Sequence, residues 1–201
     1  MHVFSVLDVL IGDRVIGNFF VCIRRINSLY FEYMLMSKER VQEIELRAKD
    51  VLLNAYDVDQ SVTPPIDISR VVRALGLTIK EGRFQDENVV GAYDKASKTI
   101  FISDKDPYTR KAFTMAHELG HFTLHKDKQQ ETFFRSNTIL LAEEHHLIEQ
   151  EANCFAACLL MPKDLIVQYV KVVRSVERLA EIFGVSSTAM SWRLKNLGLL
   201  E

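Results

Sequence analysis

The chain is poor in cysteine: three in 201 residues, Cys22, Cys154 and Cys158. An odd, sparse set with no spacing framework excludes a disulfide-built fold and suits a reducing compartment. Cys154 and Cys158 stand four apart in a helical pattern, poor geometry for bridging each other, and read as small packed residues. An excess of one charge is missing too. Lys and Arg number 25 against 27 Asp and Glu, a net of -2, so no overall field draws the chain to nucleic acid or anionic lipid. Long apolar runs are also absent. "VFSVLDVLIGDRVIGNFFVCIRRI" is broken by Asp8, Asp13, Arg14, Arg24 and Arg25, well short of the roughly 18 apolar residues of a membrane helix. It has neither a basic n-region nor a small-residue cleavage site, so the expected location is cytoplasmic. What is present is ordinary for a folded domain: 48% hydrophobic and 26% charged residues, on a length that suits one core and a small appendage.

Composition changes at Met36, which would make a natural start for the folded domain. Residues 1–35 read as an N-terminal extension in which "RVIGNFFVCI" has strand character. "MSKERVQEIELRAKDVLLNAY" is an amphipathic helix capped by Ser37, with Arg40, Glu43 and Glu45 expected in solvent. Two prolines follow. Asp67 or Ser69 then caps a short helix through Leu75, stopped by Gly76. "LTIKEG" reads as a strand, and "NVVGAYDKASKTIFIS" as a hairpin turning at Asp94–Ser97. "DKDPYTRKAFTMAHELGHFTLHKD" reads as a helix with Asp106 as N-cap and Pro107 at its first position. The expected fold class is α+β: mainly helical, with a small antiparallel sheet. Residues 36–168 form the main domain and 169–201 a C-terminal segment.

"FTMAHELGHFTLH" carries the chemistry. His117 and His121 are four apart, so one helical turn puts both imidazoles on one side, where they can share a metal ion. Glu118 stands beside them and can accept a proton from water. This is the H-E-x-x-H arrangement of zinc peptidases. Alone it is weak evidence, because core histidines at this spacing arise by chance. His125 lies roughly 12 Å along the axis from His117, too far for the same ion, and reads as a packing residue or a support for a ligand.

A catalytic zinc needs a third protein ligand and an open position. "LIEQEANCFAACLLMP", Leu147 to Pro162, reads as a second helix with an apolar stripe through Ala152, Phe155, Ala156, Leu159 and Leu160. Glu149 lies roughly 50° from the centre of that stripe and Glu151 roughly 100° away. Glu149 is therefore the more inward acid, with Asn153 positioned to orient it or a histidine. Glu143, Glu144 and Glu151 read as solvated, and His145 and His146 as surface residues in a polar loop. Tyr93 is a candidate oxyanion donor, with a core aromatic as the blander alternative. "KTIFIS" is a candidate for holding an extended peptide by strand addition, or else a fully paired strand. Zn²⁺ follows from the ligand types; Mn²⁺ or Fe²⁺ also fits.

From Met36 onward the chain resembles the ImmA/IrrE metallo-endopeptidases. The resemblance rests on "PPIDISRVVRALGL", "GAYDKASKTIFIS", "RKAFTMAHELGHFTLH", "EQEANCFAACLLMP" and "VERLAEIFGVSSTAMSWRLKNLGL" together. It implies a zincin-like core, His117, His121 and Glu149 as metal ligands and Glu118 as the base. It also implies an intracellular protease whose substrate is a helix-turn-helix repressor, cleaved to switch on mobile-element or stress genes. Residues 1–35 lie outside it.

"SVERLAEIFGVSSTAMSWRLKNLGLL" looks like helix-turn-helix, with Ala180, Gly184 and Val185 at the crossing and Ser186 as a cap. That raises a rival class, a DNA-binding regulator using Ser187, Thr188, Ser191, Arg193 and Lys195. The acidic balance disfavours it, and a packing or substrate-docking role is the expectation. A catalytically dead metal-binding module is a third class, against which intact Glu118 argues.

Overall fold

The structure is a computed structural model that describes residues 3–4, 19–23, 36–56, 61–84, 89–125 and 139–200. In chain order its elements are β1 (Val3–Phe4), β2 (Phe19–Ile23), α1 (Lys38–Asn54), α2 (Ile68–Ala74), β3 (Thr78–Phe84) and β4 (Val89–Asp94). There follow β5 (Thr99–Ser103), α3 (Tyr108–Leu124), α4 (Ile139–Leu160), α5 (Lys163–Tyr169), α6 (Val176–Phe183) and α7 (Ser187–Asn196). Among the described residues no helix is long and apolar enough to cross a membrane.

Local chemistry accounts for most boundaries. The hydroxyls of Ser37, Ser175 and Ser186 and the carboxylate of Asp67 each accept the backbone N–H three residues on, satisfying one otherwise orphaned donor of the first turn. Gly76 and Gly184 follow α2 and α6 at φ of 73° and 66°, a left-handed conformation that costs a glycine little. The helix α3 begins one residue later than its sequence suggests. Pro107 is its N-cap in extended conformation and Tyr108 its first residue.

The sheet corrects the antiparallel expectation. It is mixed, with strand order β1-β3-β5-β4-β2. The hairpin β4–β5 is antiparallel, Gly91 facing Ile102 and Asp94 facing Thr99. Its second strand then slots between β4 and β3 and runs parallel to β3, Thr78 facing Thr99. The consecutive strands β3 and β4 are therefore not sheet neighbours. β5, which carries "KTIFIS", is paired along both edges, so it has no free edge for an added peptide strand. The outer edge of β4 pairs with β2, Phe19 facing Asp94, and β1 pairs with β3.

The main core gathers Ile44 and Leu52 of α1, Val71 of α2, Ile100 and Ile102 of β5, Met115 and Leu119 of α3, and Phe155 and Leu159 of α4. A second cluster joins Met161 and Ile166 to Leu179, Phe183, Met190 and Leu194, with Tyr169 edge-on to Phe183. Burial at roughly 25 cal/mol per Å² is what holds these layers together. The closest helix contact is between α3 and α4, where Gly120 makes room. A Cβ there would sit 3.0 Å from Ala152 Cα and 3.1 Å from its carbonyl oxygen.

Arg40 and Glu45 depart from the expected solvated face of α1. Arg40 reaches Glu151 of α4, and Glu45 pairs with Arg193 of α7. Only Glu43 of the three is largely exposed. The second helix is also longer than its apolar stripe, so His146 lies inside α4 rather than in a loop. It is exposed and its ring nitrogen meets the Gln150 amide at 2.8 Å. The side chains of Glu143, Glu144 and His145 fall outside the described residues.

Candidate metal centre

Two helices assemble the site. On α3, His117 and His121 are both 2% exposed, one turn apart, with their Nε2 atoms 3.0 Å from each other. From α4, Glu149 brings one carboxylate oxygen within 3.3 Å of His117 Nε2 and the other within 3.3 Å of His121 Nε2. All the ligand-type atoms lie within 4.8 Å of one another. A tetrahedral ion bonded at roughly 2.0–2.2 Å sets neighbouring donors about 3.3 Å apart. The spacings of this triad match that geometry. Two imidazoles and one carboxylate are compatible with a divalent metal ion. The Glu149 side chain is 30% exposed, which leaves the cluster open on one side.

The partners of the histidines agree with that use. Nδ1 of His117 donates to the amide oxygen of Asn153 at 2.9 Å, which leaves Nε2 to face the cluster. Without an ion the three groups share protons. Burial drives the His121 imidazole down to about 4, outweighing its bond to Glu149. Burial also acts on His117, but Glu149 and Glu118 together raise it above its ordinary value. Partial loss of hydration would raise Glu149, yet hydrogen bonds from both histidines hold it well below the carboxylate range.

Glu118 is fully buried, and among the described residues neither of its oxygens has a hydrogen-bond partner. Burial lifts it to about 8, with Glu149 adding to the shift and His117 opposing it. An unpartnered buried carboxylate is expensive, and its position beside an ion-compatible cluster is what makes sense of it. Gly91 of β4 admits it. A Cβ at that position would lie 2.2 Å from Thr114 Cγ2 and 3.3 Å from Glu118 Oε1.

The remaining expectations divide. Glu151 is not solvated: it is 7% exposed and bonds His125 and Arg40. Burial raises its carboxyl, but those two partners more than offset this and bring it to about 2. Tyr93 lies in the main core with its ring edge-on to Phe122 at 5.7 Å. Arg193 is buried at 3% exposure, its Nε donating to the carbonyl of Met161 at 3.0 Å and its guanidinium paired with Glu45. It ties the second cluster to α1 and cannot be a DNA contact in this arrangement. Ser187, Thr188 and Lys195 are exposed and Ser191 is half-buried. Sequence reasoning missed Gly91 and Gly120. A glycine inside an element is the only trace such close approaches leave.

The site thus sets a paired-histidine helix and a carboxylate from a second helix on a mixed α+β fold. The Peptidase_M78 profile, described as the IrrE N-terminal-like domain, matches residues 72–195. That is more than half of the chain, and the protein belongs to this family. It is similar to the uncharacterized immunity region protein 2 of Bacillus phage phi105, 32% identical over 93 residues, covering 46% of this chain and 56% of that protein. It is also similar to Metallopeptidase ImmA of Bacillus subtilis (strain 168), 28% identical over 108 residues, covering 53% and 62% respectively. Among solved structures, a Mycobacterium tuberculosis transcriptional regulator shares the fold with a TM-score of 0.57 and 16% identity. The likeness covers 77% of this chain and 46% of that one. The chain thus matches 62% or less of these curated relatives, and under half of the solved one.

Proposed function

We propose that the protein is a cytoplasmic zinc-dependent endopeptidase in which His117, His121 and Glu149 hold the ion and Glu118 is the catalytic base. The observation that carries this is Glu118: a fully buried carboxylate without a partner, next in the chain to a histidine of an ion-compatible triad. A divalent ion bound there supplies Lewis acidity, toward both water and the scissile carbonyl. Glu118 accepts the proton of the attacking water and later delivers it to the leaving amine nitrogen. Asn153 orients His117, and burial excludes bulk water from the proton path. Zinc suits two imidazoles and one carboxylate, and Mn²⁺ or Fe²⁺ would accept the same donors.

The substrate class follows from the resemblance rather than from the geometry: a helix-turn-helix repressor whose cleavage derepresses mobile-element or stress genes. The similarity to an immunity region protein of a phage supports that direction. In this reading residues 169–201 pack or dock substrate, and residues 36–168 form the peptidase domain.

The test is Glu118→Gln in cells carrying a reporter under the helix-turn-helix repressor that this reading takes as the substrate. The variant should keep metal and fold while the reporter stays off. An active Glu118→Gln protein would overturn the proteolytic reading, because an amide cannot accept the proton.

A further inference from the structure

The H-E-x-x-H motif leaves three polar residues unexplained: the buried His125 and Glu151 and the half-buried Arg40. They form one connected line that ends on His121. Nδ1 of His121 is 3.3 Å from Nδ1 of His125. Nε2 of His125 is 2.9 Å from Glu151 Oε2. Arg40 grips the same carboxylate with both arms, Nε to Oε1 at 2.7 Å and a terminal nitrogen to Oε2 at 2.8 Å. We infer that Arg40, Glu151 and His125 are a positioning relay that determines which ring nitrogen His121 presents to a metal. The inference rests on His121 being a ligand.

The argument is one of hydrogen-bond direction. A neutral imidazole has one donor nitrogen and one acceptor nitrogen. For His121 to ligate through Nε2, its proton must sit on Nδ1, and His125 Nδ1 is placed to accept it. His125 can accept there only if its own proton is on Nε2. Glu151 enforces that, because an ionised carboxylate can only accept. Arg40 can only donate, and its bidentate grip keeps the carboxylate charged and in plane. Every donor therefore points toward Glu151, and the tautomer of His121 follows from a charge two residues removed. His121 and His125 are each 2% exposed and Glu151 7% exposed, so bulk water is a poor substitute for any link. His117 has a shorter device for the same end, the Asn153 amide oxygen. By this route α1 becomes part of the frame of the site, since Arg40 is its contribution.

The test uses the full chain and Zn²⁺ itself. Zn²⁺ affinity is measured by competition with a chromophoric chelator. The His121 tautomer is read from side-chain ¹⁵N shifts in chelator-treated protein. His125→Leu should weaken Zn²⁺ binding by roughly 10- to 100-fold, the usual cost of losing a ligand's supporting partner, and should leave His121 as a tautomer mixture. His125→Asn restores an acceptor near the Nδ1 position and should recover most of the affinity, as a merely space-filling role would not. Glu151→Gln can donate or accept, so it should blur both tautomers at intact packing. Wild-type affinity and an unchanged His121 tautomer in both His125→Leu and Glu151→Gln would overturn the relay. If His121→Ala binds as much Zn²⁺ as wild type, the ligand reading itself has failed, which is a distinct result.

Discussion

Gly120→Ala tests whether the α3–α4 approach sets the donor geometry. The added methyl would meet Ala152 Cα at 3.0 Å, Ala152 O at 3.1 Å and Phe155 Cβ at 3.3 Å, where ordinary contacts run from 3.4 to 4 Å. Two of these atoms are backbone, so no side-chain rotation relieves them and α4 must shift by roughly half an ångström. Glu149 stands three residues before Ala152 on the same face and is carried along. Its 3.3 Å approaches to both histidines lengthen accordingly. Overpacking of this kind costs about 1–3 kcal/mol, while alanine in a helix returns about 1 kcal/mol relative to glycine. The net loss of stability should therefore be about 0–2 kcal/mol. Metal affinity should fall by roughly tenfold or more, because donors must be held to about half an ångström. Urea unfolding in chelator gives the first quantity and Zn²⁺ competition the second. A variant that is more stable than wild type and binds Zn²⁺ within twofold would refute the argument.

Glu118 also predicts a pH signature in chelator-treated protein. The folded chain holds its proton up to about 8, against an ordinary value of 4.5, so folding takes up a proton between those values. Stability therefore falls as pH rises through that window, by at most about 4 kcal/mol at pH 8. Glu118→Gln removes the titration, and urea unfolding at pH 5 and pH 8 should show a shallower slope; equal slopes would count against a buried, unpartnered Glu118. Arg193→Ala strips a partner from Glu45 and from the Met161 carbonyl and should cost about 3 kcal/mol, the range for breaking a buried pair. Arg193→Met keeps the volume and should cost less, and a loss under about 0.5 kcal/mol in both would show that the pair contributes little.

Short-range regularities carried the sequence reading where it agreed with the structure. Four-residue spacing puts His117 and His121 on one side of any α-helix, whatever surrounds it. The caps at Ser37, Asp67 and Ser186 and the turns at Gly76 and Gly184 depend on a few consecutive residues and their own backbone groups. The hairpin at Asp94–Ser97 is equally local. Helical phase pointed to Glu149 as the acid that meets the histidines, but its ranking by burial is reversed: Glu151 is 7% exposed and the Glu149 side chain 30%. What phase could not supply was a destination for Glu151. An acid at the margin of the stripe is solvated unless another element brings it a cation, and Arg40 arrives from a helix 111 positions away. The same holds for Arg193, charged in sequence but buried because Glu45 and the end of α4 meet it. Strand order was beyond reach for a related reason. Alternation tells which residues pair with something, not with what, and the place of β5 between β3 and β4 depends on contacts distant in sequence, those of α2 and α3 with the sheet among them. Glycines 91 and 120 are the extreme case. Each is a missing side chain whose meaning depends wholly on the atoms of another element that occupy its place.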